Sequence, residues 1–377
     1  MTDAAKICTR CVMDVTDSGI TFDECGVCDH CRTFDRSIQP SWNPAGDALA
    51  LEKLVENIRR DGCGKDFDCI IGMSGGIDSS YLVYAAKEVM GLRPLVFHVD
   101  AGWNSQIAVN NIERIVDGLS LDLYTEVIDW EAMKDLQRAF FRSGVSHIDT
   151  PQDHAFFATM YKFATEHNVK NILTGANYST ECIRNPKEWM YYQSDTTQIK
   201  DIHSRFGEGS LDNFPLTSIL WYRVWLPYVR GIRVLRPLNA MPYVKQQAME
   251  LLETQFGWQP YPQKHFESRF TRFYESYWLP ERFGFDVRKV QYSSLILTGQ
   301  MTRDEALEAL LKPSYEAKEI EREAVFIANK LEITVEELNS YLTLPKKTYR
   351  DYKNQEDVYA VGSKLLRAMG IERGGKR

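Results

Sequence analysis

The sequence lacks several features that would have indicated a class of protein at once. It has no uninterrupted apolar run of about 18 residues and no basic N-terminal region followed by an apolar stretch. We therefore expect no membrane span, no signal peptide and a cytoplasmic location. Basic residues are not in excess either, since 45 Lys and Arg face 52 Asp and Glu, for a formal net charge of -7. This balance disfavours binding to nucleic acid or to an anionic membrane, and is compatible with a small acidic or phosphorylated substrate.

The chain does have the length and apolar content of a folded, multi-domain protein. Its 377 residues predict two or three domains, and 44% hydrophobic residues suffice for a packed core. No internal repeat or low-complexity linker is evident. Eight cysteines in an expected cytoplasmic protein indicate metal binding or catalysis rather than disulfides.

Two Cys-x-x-Cys pairs near the N-terminus predict a zinc site. Sixteen residues separate them, in a segment too short for its own hydrophobic core, and four thiolates in tetrahedral geometry make a closed, structural site. The four candidate ligands are Cys8, Cys11, Cys28 and Cys31. Two alternatives stay open: Cys25 forms a further Cys-x-x-Cys with Cys28, and His30 is able to replace a thiolate. A set of buried, reduced cysteines is the alternative to a metal.

Residues 69–83 combine a buried strand, a glycine turn and the start of a helix, which is the pattern of a phosphate cradle. Gly75 and Gly76 let backbone N–H groups approach an anion, and the helix start adds the positive end of its dipole. The serines at 74, 79 and 80 add hydroxyl groups. The common phosphate loop ends in Gly-Lys-Ser/Thr, and no lysine follows these glycines. Asp78 stands in the turn instead, and a carboxylate beside phosphates indicates bound Mg²⁺.

Strands and helices alternate through the first part of the chain and predict a doubly wound parallel sheet with an α/β fold. We expect strands at 94–99, 121–128 and 169–174, and helices at 79–90, 112–119, 130–142 and 156–167. Ligands of such sheets lie outside the carboxyl ends of the strands. Three polar turns fall there, at 74–80, 98–104 and 175–181.

The predicted organisation has three parts. Residues 1–40 form a zinc-ribbon-like cysteine module, 41–242 the ATP-binding domain, and 243–377 a helical domain whose helices begin at Thr302 and Thr334 with capping boxes. Within the second part, 182–235 is an aromatic-rich insertion, which we expect to pack a helical core rather than to receive a partner or a base. The basic tail at 367–377 is expected to be frayed.

Several motifs resemble a known family. SGGIDSS at 74–80 resembles the SGGxDS signature of the PP-loop ATP pyrophosphatases, which cleave ATP between its α and β phosphates. The remaining matching segments are 8–14 (CTRCVMD), 26–31 (GVCDHC), 173–177 (LTGAN), 264–271 (KHFESRFT) and 282–286 (RFGFD). Together they resemble the N-acetyl sugar amidotransferases of the PP-loop superfamily, and they span nearly the whole chain. Cys25 falls outside that pattern.

The resemblance implies an activity in bacterial surface-polysaccharide synthesis, such as lipopolysaccharide or O-antigen. The enzyme would use ATP, Mg²⁺ and structural Zn²⁺ to adenylate the acetamido oxygen of a nucleotide-activated sugar. Ammonia would then displace AMP and leave an acetamidino group.

This interpretation assigns roles to particular residues. Ser74, Gly75, Gly76, Ser79 and Ser80 would hold the β and γ phosphates, Asp78 would position Mg²⁺, and His98, Val99 and Asp100 would border adenine and ribose. Gly175, Asn177 and Glu181 would face the α-phosphate or the sugar, with Ser74, Asp78, Asn177 and Glu181 as the catalytic group. Lys264, His265, Glu267, Ser268, Arg269 and Thr271 would bind a uronate or a nucleotide phosphate. A solvated helix face is an equal alternative for this last group, and His147 and His154 are expected to pack or hydrogen-bond.

The sequence shows no glutaminase of its own. Residue 2 is Thr rather than an N-terminal cysteine nucleophile, and Cys63 precedes a strand instead of following one. We therefore expect ammonia from a separate, HisH-like glutaminase, with a HisF-like conduit, and no nucleic-acid partner. A tRNA thiolase using Cys63, Cys69 and Cys182 is the first rival, and a non-catalytic zinc-ribbon scaffold is the second.

Overall fold

A computed structural model describes residues 6–368 and is built around a parallel sheet. The strands are β1 (Cys69–Gly72), β2 (Pro94–Asp100), β3 (Leu123–Val127), β4 (Asn171–Leu173) and β5 (Arg233–Leu235). Their order is β3-β2-β1-β4-β5, and every neighbouring pair is parallel. The predicted α/β fold with a doubly wound sheet is confirmed. Because β1 lies between β2 and β4, the chain reverses its winding there, which is where such sheets bind ligands.

Helices cover the sheet and make up most of the C-terminal region. The α-helices of the described residues are α1 (Asp29–Thr33), α2 (Ala48–Asp61), α3 (Ile77–Tyr84), α4 (Gln106–Gly118), α5 (Trp130–Ser143), α6 (Thr150–Glu166), α7 (Tyr178–Glu181), α8 (Thr196–Phe206), α9 (Lys245–Phe256), α10 (Arg269–Phe273), α11 (Leu279–Phe283), α12 (Arg288–Leu297), α13 (Arg303–Leu311), α14 (Ala317–Lys330), α15 (Val335–Ser340) and α16 (Glu356–Ala368). Wider helical turns occupy Phe34–Ile38, Ala85–Val89, Trp221–Val229 and Tyr274–Trp278. Tighter turns occupy Gln39–Ser41, Pro237–Ala240, Tyr341–Thr343 and Tyr349–Asp351.

The ends of several helices follow from local chemistry. The side chains of Ser105 and Asp129 accept backbone N–H bonds and start α4 and α5, while Gly144 ends α5 in the left-handed region. Thr302 forms the full predicted capping box with Glu305. Thr334 caps α15 through its own hydroxyl, which accepts from the backbone of Glu337.

The strand β5 corrects the sequence interpretation. Arg233–Leu235 was placed in an insertion, and these residues pair with β4 as the edge of the sheet. An edge strand of three residues, partly exposed, carries none of the continuous apolar pattern that marks the buried strands β1 and β2. The aromatic residues before it divide in two: Trp189 and Tyr191 are buried, as expected, whereas Tyr228 is 58% exposed.

The N-terminal cysteine module packs against the C-terminal helices. Arg303 donates to the carbonyl groups of Cys8 and Cys11, and Lys289 pairs with Asp14 at 2.5 Å. The four cysteines belong to the same apolar cluster as residues of the sheet and of α14. The module is therefore stabilised by tertiary packing against the rest of the chain.

Within residues 6–368, no helix combines the length and the apolar character that crossing a membrane requires. Most of the predicted basic tail, from residue 369 onward, lies outside the described residues.

Candidate active site and metal centre

A cavity of about 550 Å³ opens at the carboxyl ends of β1, β2 and β4. The loop between β1 and α3 forms one wall, and residues 258–275 form the opposite wall. Residues of α6 close one end. The cavity therefore joins the predicted phosphate cradle to the polar segment 264–271, which lies about 190 residues away along the chain.

The glycines of the loop are required by space and by backbone conformation. Gly75 has a φ of +84°, and a Cβ there would lie 2.7 Å from the carbonyl oxygen of Ala108. At Gly76 a Cβ would lie 2.6 Å from Oε1 of Glu267, inside the cavity. Gly76 is also the N-cap of α3, and no side chain caps this helix. The first N–H groups of α3 thus remain available to an anion, as the sequence predicts.

Asp78 is the most heavily bonded group of this loop. Its Oδ1 accepts hydrogen bonds from Asn177 at 3.1 Å and from the Tyr243 hydroxyl at 2.6 Å. Its Oδ2 lies 3.1 Å from Nζ of Lys264. Burial alone would raise the pKa of Asp78, but the charge of Lys264 and the bonds from Tyr243 and Lys264 outweigh it and lower that pKa. Asp78 is therefore ionised.

Lys264 joins two carboxylates. Its Nζ lies 2.5 Å from Glu181 as well as 3.1 Å from Asp78. Burial lowers the pKa of this amine, and the two carboxylates outweigh that effect and raise it. Lys264 accordingly places a fixed positive charge where the loop, α7 and the C-terminal segment meet.

Glu267 places a further carboxylate against the cradle. Its Oε1 accepts from the Ser74 hydroxyl at 3.2 Å, and its backbone carbonyl accepts from Ser105. Glu267 therefore lies against the serine hydroxyl and the second glycine of the cradle.

The end of β2 forms the next part of the wall. Nδ1 of His98 donates to the carbonyl of Met73 at 2.9 Å, since a carbonyl only accepts. Its Nε2 therefore accepts from Asn104 at 3.0 Å. His98 thus links the end of β2 to the residue that follows β1, as part of the cavity wall.

The far end of the cavity is acidic. Asp149 accepts from Thr271 at 2.7 Å and from Gln152 at 2.9 Å, and Asp153 accepts from Gln193 at 3.0 Å. Burial, reinforced by Asp153, raises the pKa of Asp149 well above its usual value. Burial likewise raises the pKa of Asp153 to about 6.

Among residues 6–368, one cation lies at this end of the cavity, and it is already paired. Nδ1 of His265 lies 2.9 and 3.1 Å from the two oxygens of Glu275. Burial opposes protonation of His265, but Glu275 outweighs it and raises the pKa of His265 to about 9. His265 has a φ of +66°, uncommon for a residue with a side chain.

The structure brings most of the predicted site residues into this one cavity. Those that line it are Ser74, Gly76, Asp78, Ser79, His98, Val99, Gly175, Glu181, Lys264, His265, Glu267, Ser268 and Thr271. Gly175 approaches α3 so closely that a Cβ would lie 2.8 Å from the backbone of Asp78.

Five predicted residues stand behind the wall instead. Gly75 turns its carbonyl to Trp258, Ser80 is fully buried in α3, and Asn177 caps α7. Asp100 accepts from the Asn104 side chain and the backbone N–H of Gly102. Arg269 pairs with Glu323 at 2.8 Å, and its guanidinium lies 3.5 Å from the ring centroid of Phe326, outside the cavity lining.

Sequence reasoning missed the acidic end. The start of α6 was placed at 156, whereas the helix begins at Thr150, with Pro151 in its first turn. Proline in a first turn is a known start signal, and it would have placed Asp149 at the N-cap and Asp153 one turn later. Tyr243 and Lys245 were also missed, because nothing local links them to Asp78.

The four predicted cysteines form a group suited to a metal. All are fully buried, and their sulfur atoms lie within 4.8 Å of one another. Cys8 and Cys31 are 3.8 Å apart, and Cys28 lies 3.6 Å from both Cys11 and Cys31. Zinc–sulfur bonds of about 2.3 Å in a tetrahedron place sulfurs about 3.8 Å apart, so the spacing fits zinc.

The alternatives for this site lose support. Cys25 is exposed and lies outside the group, and His30 bonds to Asp17 at 2.8 Å. Backbone N–H groups of residues 10, 11 and 28 point at the sulfur of Cys8, as expected around a thiolate ligand.

The cysteines at 63, 69 and 182 do not line the cavity. Cys63 is exposed, Cys69 is buried in β1, and the Cys182 thiol contacts the Ser294 carbonyl. Among the residues that the structure describes, none of those lining the cavity is a cysteine. His147 and His154 are buried and hydrogen-bonded to Gln198 and Gln193, respectively, as expected.

Comparison with known proteins gives one family match and many structural likenesses, of which two are described. NMN synthetase from Francisella tularensis is 18% identical, with a TM-score of 0.26, over 59% of this chain and 90% of that chain. NH3-dependent NAD synthetase from Campylobacter jejuni subsp. jejuni, in complex with the nitrate ion, is 14% identical, with a TM-score of 0.29, over 57% and 98%. No curated protein matches.

The family match lies in the C-terminal part. Residues 267–366 match the model described as LPS biosynthesis protein WbpG-like, C-terminal domain. The matched region begins at Glu267, on the wall of the cavity, and extends into α16. Over these residues the chain is thus similar to a protein of LPS biosynthesis, in line with the resemblance that the sequence motifs indicated.

Proposed function

We propose that this protein is an ATP-dependent amidotransferase that converts the acetamido group of a nucleotide-activated sugar to an acetamidino group, releasing AMP and pyrophosphate. One observation carries the proposal. A single cavity joins the cradle at 74–80 to the wall at 264–275, where the similarity to proteins of LPS biosynthesis begins. A lipopolysaccharide or O-antigen sugar is the acceptor class that this combination favours.

The reaction needs ATP because an amide carbon resists ammonia. Its leaving group would be oxide or hydroxide, and adenylation replaces this with AMP. The acetamido oxygen attacks the α-phosphorus, and the bond between the α-phosphate and the bridging oxygen breaks toward pyrophosphate. Ammonia then forms a bond to the amide carbon, and the bond from that carbon to the AMP oxygen breaks.

The residues of the cradle hold and neutralise the phosphates. The uncapped start of α3 offers backbone N–H groups, and the hydroxyls of Ser74 and Ser79 line the same space. Lys264 adds a fixed positive charge beside them. Positioning and charge neutralisation of this kind are the main contributions of proteins to phosphoryl chemistry.

Asp78 fits Mg²⁺, which proteins bind through one or two carboxylates together with substrate phosphates. Asp78 would hold the ion, and the ion would neutralise charge on the phosphates. Zinc fits the four-cysteine group, where it would stabilise the fold, since all four positions are taken by sulfur and the site lies in a packed core.

The source of ammonia is proposed to be a separate glutaminase partner. The cavity lining within the described residues holds no cysteine that would serve as a glutaminase nucleophile. The same finding weakens the thiolase rival, which needs a sulfur-carrying thiol near the activated carbon. The alternative of a non-catalytic zinc-ribbon scaffold is also weakened, because the glycines of the loop, Asp78 and Lys264 meet in one cavity.

The test is an assay with purified protein, ATP, Mg²⁺, ammonium chloride and a panel of nucleotide-activated acetamido sugars. We expect AMP to form only with the correct sugar, and a product one mass unit lighter than that sugar as C=O becomes C=NH. Glutamine in place of ammonium should support no amidine formation without a partner. Sugar-independent ATP cleavage, or an unchanged sugar mass, would contradict the proposal.

A further inference from the structure

The acidic end of the cavity has a charge arrangement that the phosphate chemistry does not explain. Three carboxylates gather there, on Asp149, Asp153 and Glu275, and those of Asp149 and Glu275 are about 95% buried. They come from the start of α6 and from the helical turn at Tyr274–Trp278. Burying carboxylates costs free energy unless cations or donors meet them.

In the described part of the chain, the carboxylates at this end outnumber the cations that face them. His265 pairs with Glu275. Lys264 and Lys245 lie near Asp78, at the opposite end of the cavity, which holds the loop 74–80 and is called the phosphate end below. Asp149 and Asp153 therefore have neutral donors only, from Thr271, Gln152 and Gln193. An anionic ligand, such as a uronate or a phosphate, would be repelled here.

Two buried polar atoms in this region have no hydrogen-bond partner among the described residues. Tyr274 is fully buried, its hydroxyl has no hydrogen-bond partner among the described residues, and that hydroxyl interacts electrostatically with all three carboxylates. Asn185 lines the cavity, and its buried Oδ1 likewise lacks a partner in the described part of the chain. A buried polar atom without a partner is costly, so these atoms indicate a ligand that donates hydrogen bonds.

A divalent metal does not fit this arrangement. In the described residues, the four cysteines are the group of three or more ligand atoms that is close enough to hold an ion. The three carboxylates are not drawn together in that way. A small monovalent cation that donates from every hydrogen is the better match, because it can satisfy separate acceptors at once.

We propose that the cluster of Asp149, Asp153 and Glu275 is an ammonium-binding site that delivers ammonia to the adenylated substrate in the same cavity. The inference rests on the proposed function for its use of ammonia. Bound ammonium gives one proton to a carboxylate of the cluster and becomes ammonia. The nitrogen lone pair then forms the C–N bond, and the C–O bond to AMP breaks with its electrons on the phosphate oxygen. The added nitrogen loses a second proton to the cluster, and the departure of AMP leaves an amidinium cation, which keeps the acetamido N–H and two hydrogens of ammonia and is stabilised by the remaining carboxylate.

Binding is tested first, without ATP or sugar. Thermal unfolding of the full chain is followed in ammonium chloride and in potassium chloride at equal ionic strength. We expect ammonium to raise the melting temperature of the wild type relative to potassium. The difference should vanish in D149N/D153N and persist in D117N, whose carboxylate is exposed on α4. An equal response of the wild type to both salts would overturn the site.

Catalysis is tested with the single variant D153N, since Asp153 has one hydrogen-bond partner to lose. With ammonium chloride as the nitrogen source, we expect its KM for ammonium to rise about tenfold or more, as for loss of a charge-assisted hydrogen bond. Sugar-dependent exchange of pyrophosphate into ATP should stay within about twofold of wild type, because adenylation precedes nitrogen transfer. D153E should recover part of the ammonium KM. An unchanged KM in both D153N and D149N would overturn the inference.

The two proposals fail in different ways. If the wild type shows no sugar-dependent exchange, the proposed function is wrong, and the comparison of ammonium with potassium still decides the binding site. If exchange is normal and substitutions in the cluster leave the KM for ammonium unchanged, the proposed function stands and the proposed ammonium site is wrong.

Discussion

The two ends of the cavity bury the same kind of group and give it opposite properties. At the phosphate end, Lys264 and Tyr243 lower the pKa of Asp78 despite its burial. At the acidic end, burial raises the pKa of Asp149 and Asp153, because no lysine compensates it. The chemistry of each end is thus decided by the position of cations, and the carboxylates themselves are alike.

This difference suits two successive steps. An ionised carboxylate held by a lysine is suited to organising phosphates and Mg²⁺. A carboxylate with a pKa near neutrality is suited to exchanging a proton with a nitrogen nucleophile. The substrate would lie between the two ends.

The largest effect is expected from removing Lys264, the cation that distinguishes the phosphate end from the acidic end. In K264M, Asp78 and Glu181 lose their shared partner and repel both each other and the phosphates. We expect sugar-dependent pyrophosphate exchange to fall about a thousandfold, which corresponds to about 4 kcal/mol. K318M removes an exposed lysine of α14 and serves as the control. A rate in K264M within tenfold of wild type would contradict this assignment.

Substitution of one of the four cysteines tests the proposed zinc site, which the fold links to the phosphate end. The module bonds to α12 through Val12 and Ser293, and α12 in turn bonds to α7, which ends at Glu181, through Thr298 and the Ser179 carbonyl. We expect C28S to lose bound zinc and about 3 kcal/mol of stability. Metal content and urea unfolding measure both effects.

The matched control is C25S, which makes the same chemical change at an exposed cysteine outside the cluster. It should keep zinc and stability. Equal zinc loss in the two variants would contradict the four-cysteine assignment.

A substitution that adds only a methyl group tests the phosphate end separately from the acidic end, because it alters no charge. In G175A the new Cβ would lie 2.8 to 2.9 Å from backbone atoms of Asp78 and Ser79, so the start of α3 must shift. We expect the KM for ATP to rise about thirtyfold, while the response of the melting temperature to ammonium is kept. G362A, which meets open space, is the control. Normal ATP kinetics in G175A would show that the cradle tolerates displacement.

The smallest expected effect concerns stability at the acidic end. The pKa of Asp153 is raised from 3.8 to about 6 by burial, with Asp149 and Glu275 nearby and His265 opposing. A raised carboxyl pKa gives stability that is present below the unfolded pKa and lost as pH rises through the folded pKa. Because the amide of D153N does not ionise, we expect D153N to be more stable than wild type at pH 7.5, by on the order of 1 kcal/mol, and nearly equal at pH 4.

Urea unfolding at the two pH values measures this difference, with D117N as the exposed control. A shift of the same size at both pH values would mean that the substitution acts through packing. It would also contradict a raised pKa for Asp153.

Contiguous patterns made much of the fold predictable. The strand, turn and helix at 69–84 follow from an apolar run, two glycines and a helix start, and all lie within a few residues of each other. The cysteine pairs are equally local. The strand β5 was missed because three partly exposed edge residues have no such pattern, and the acidic end was missed with the start of α6.

The sequence by itself determined the parallel sheet, the glycine cradle and the two cysteine pairs, because each depends on neighbouring residues and on backbone geometry. Only the tertiary structure decided which carboxylates meet a lysine. Lys264 stands 186 residues from Asp78 and 83 from Glu181, and reaches both. The tertiary structure also places Asp149 and Asp153 in the same cavity without a lysine from the described residues paired to them. Electrostatic effects depend on distance in space and on burial, and neither is written in the local sequence.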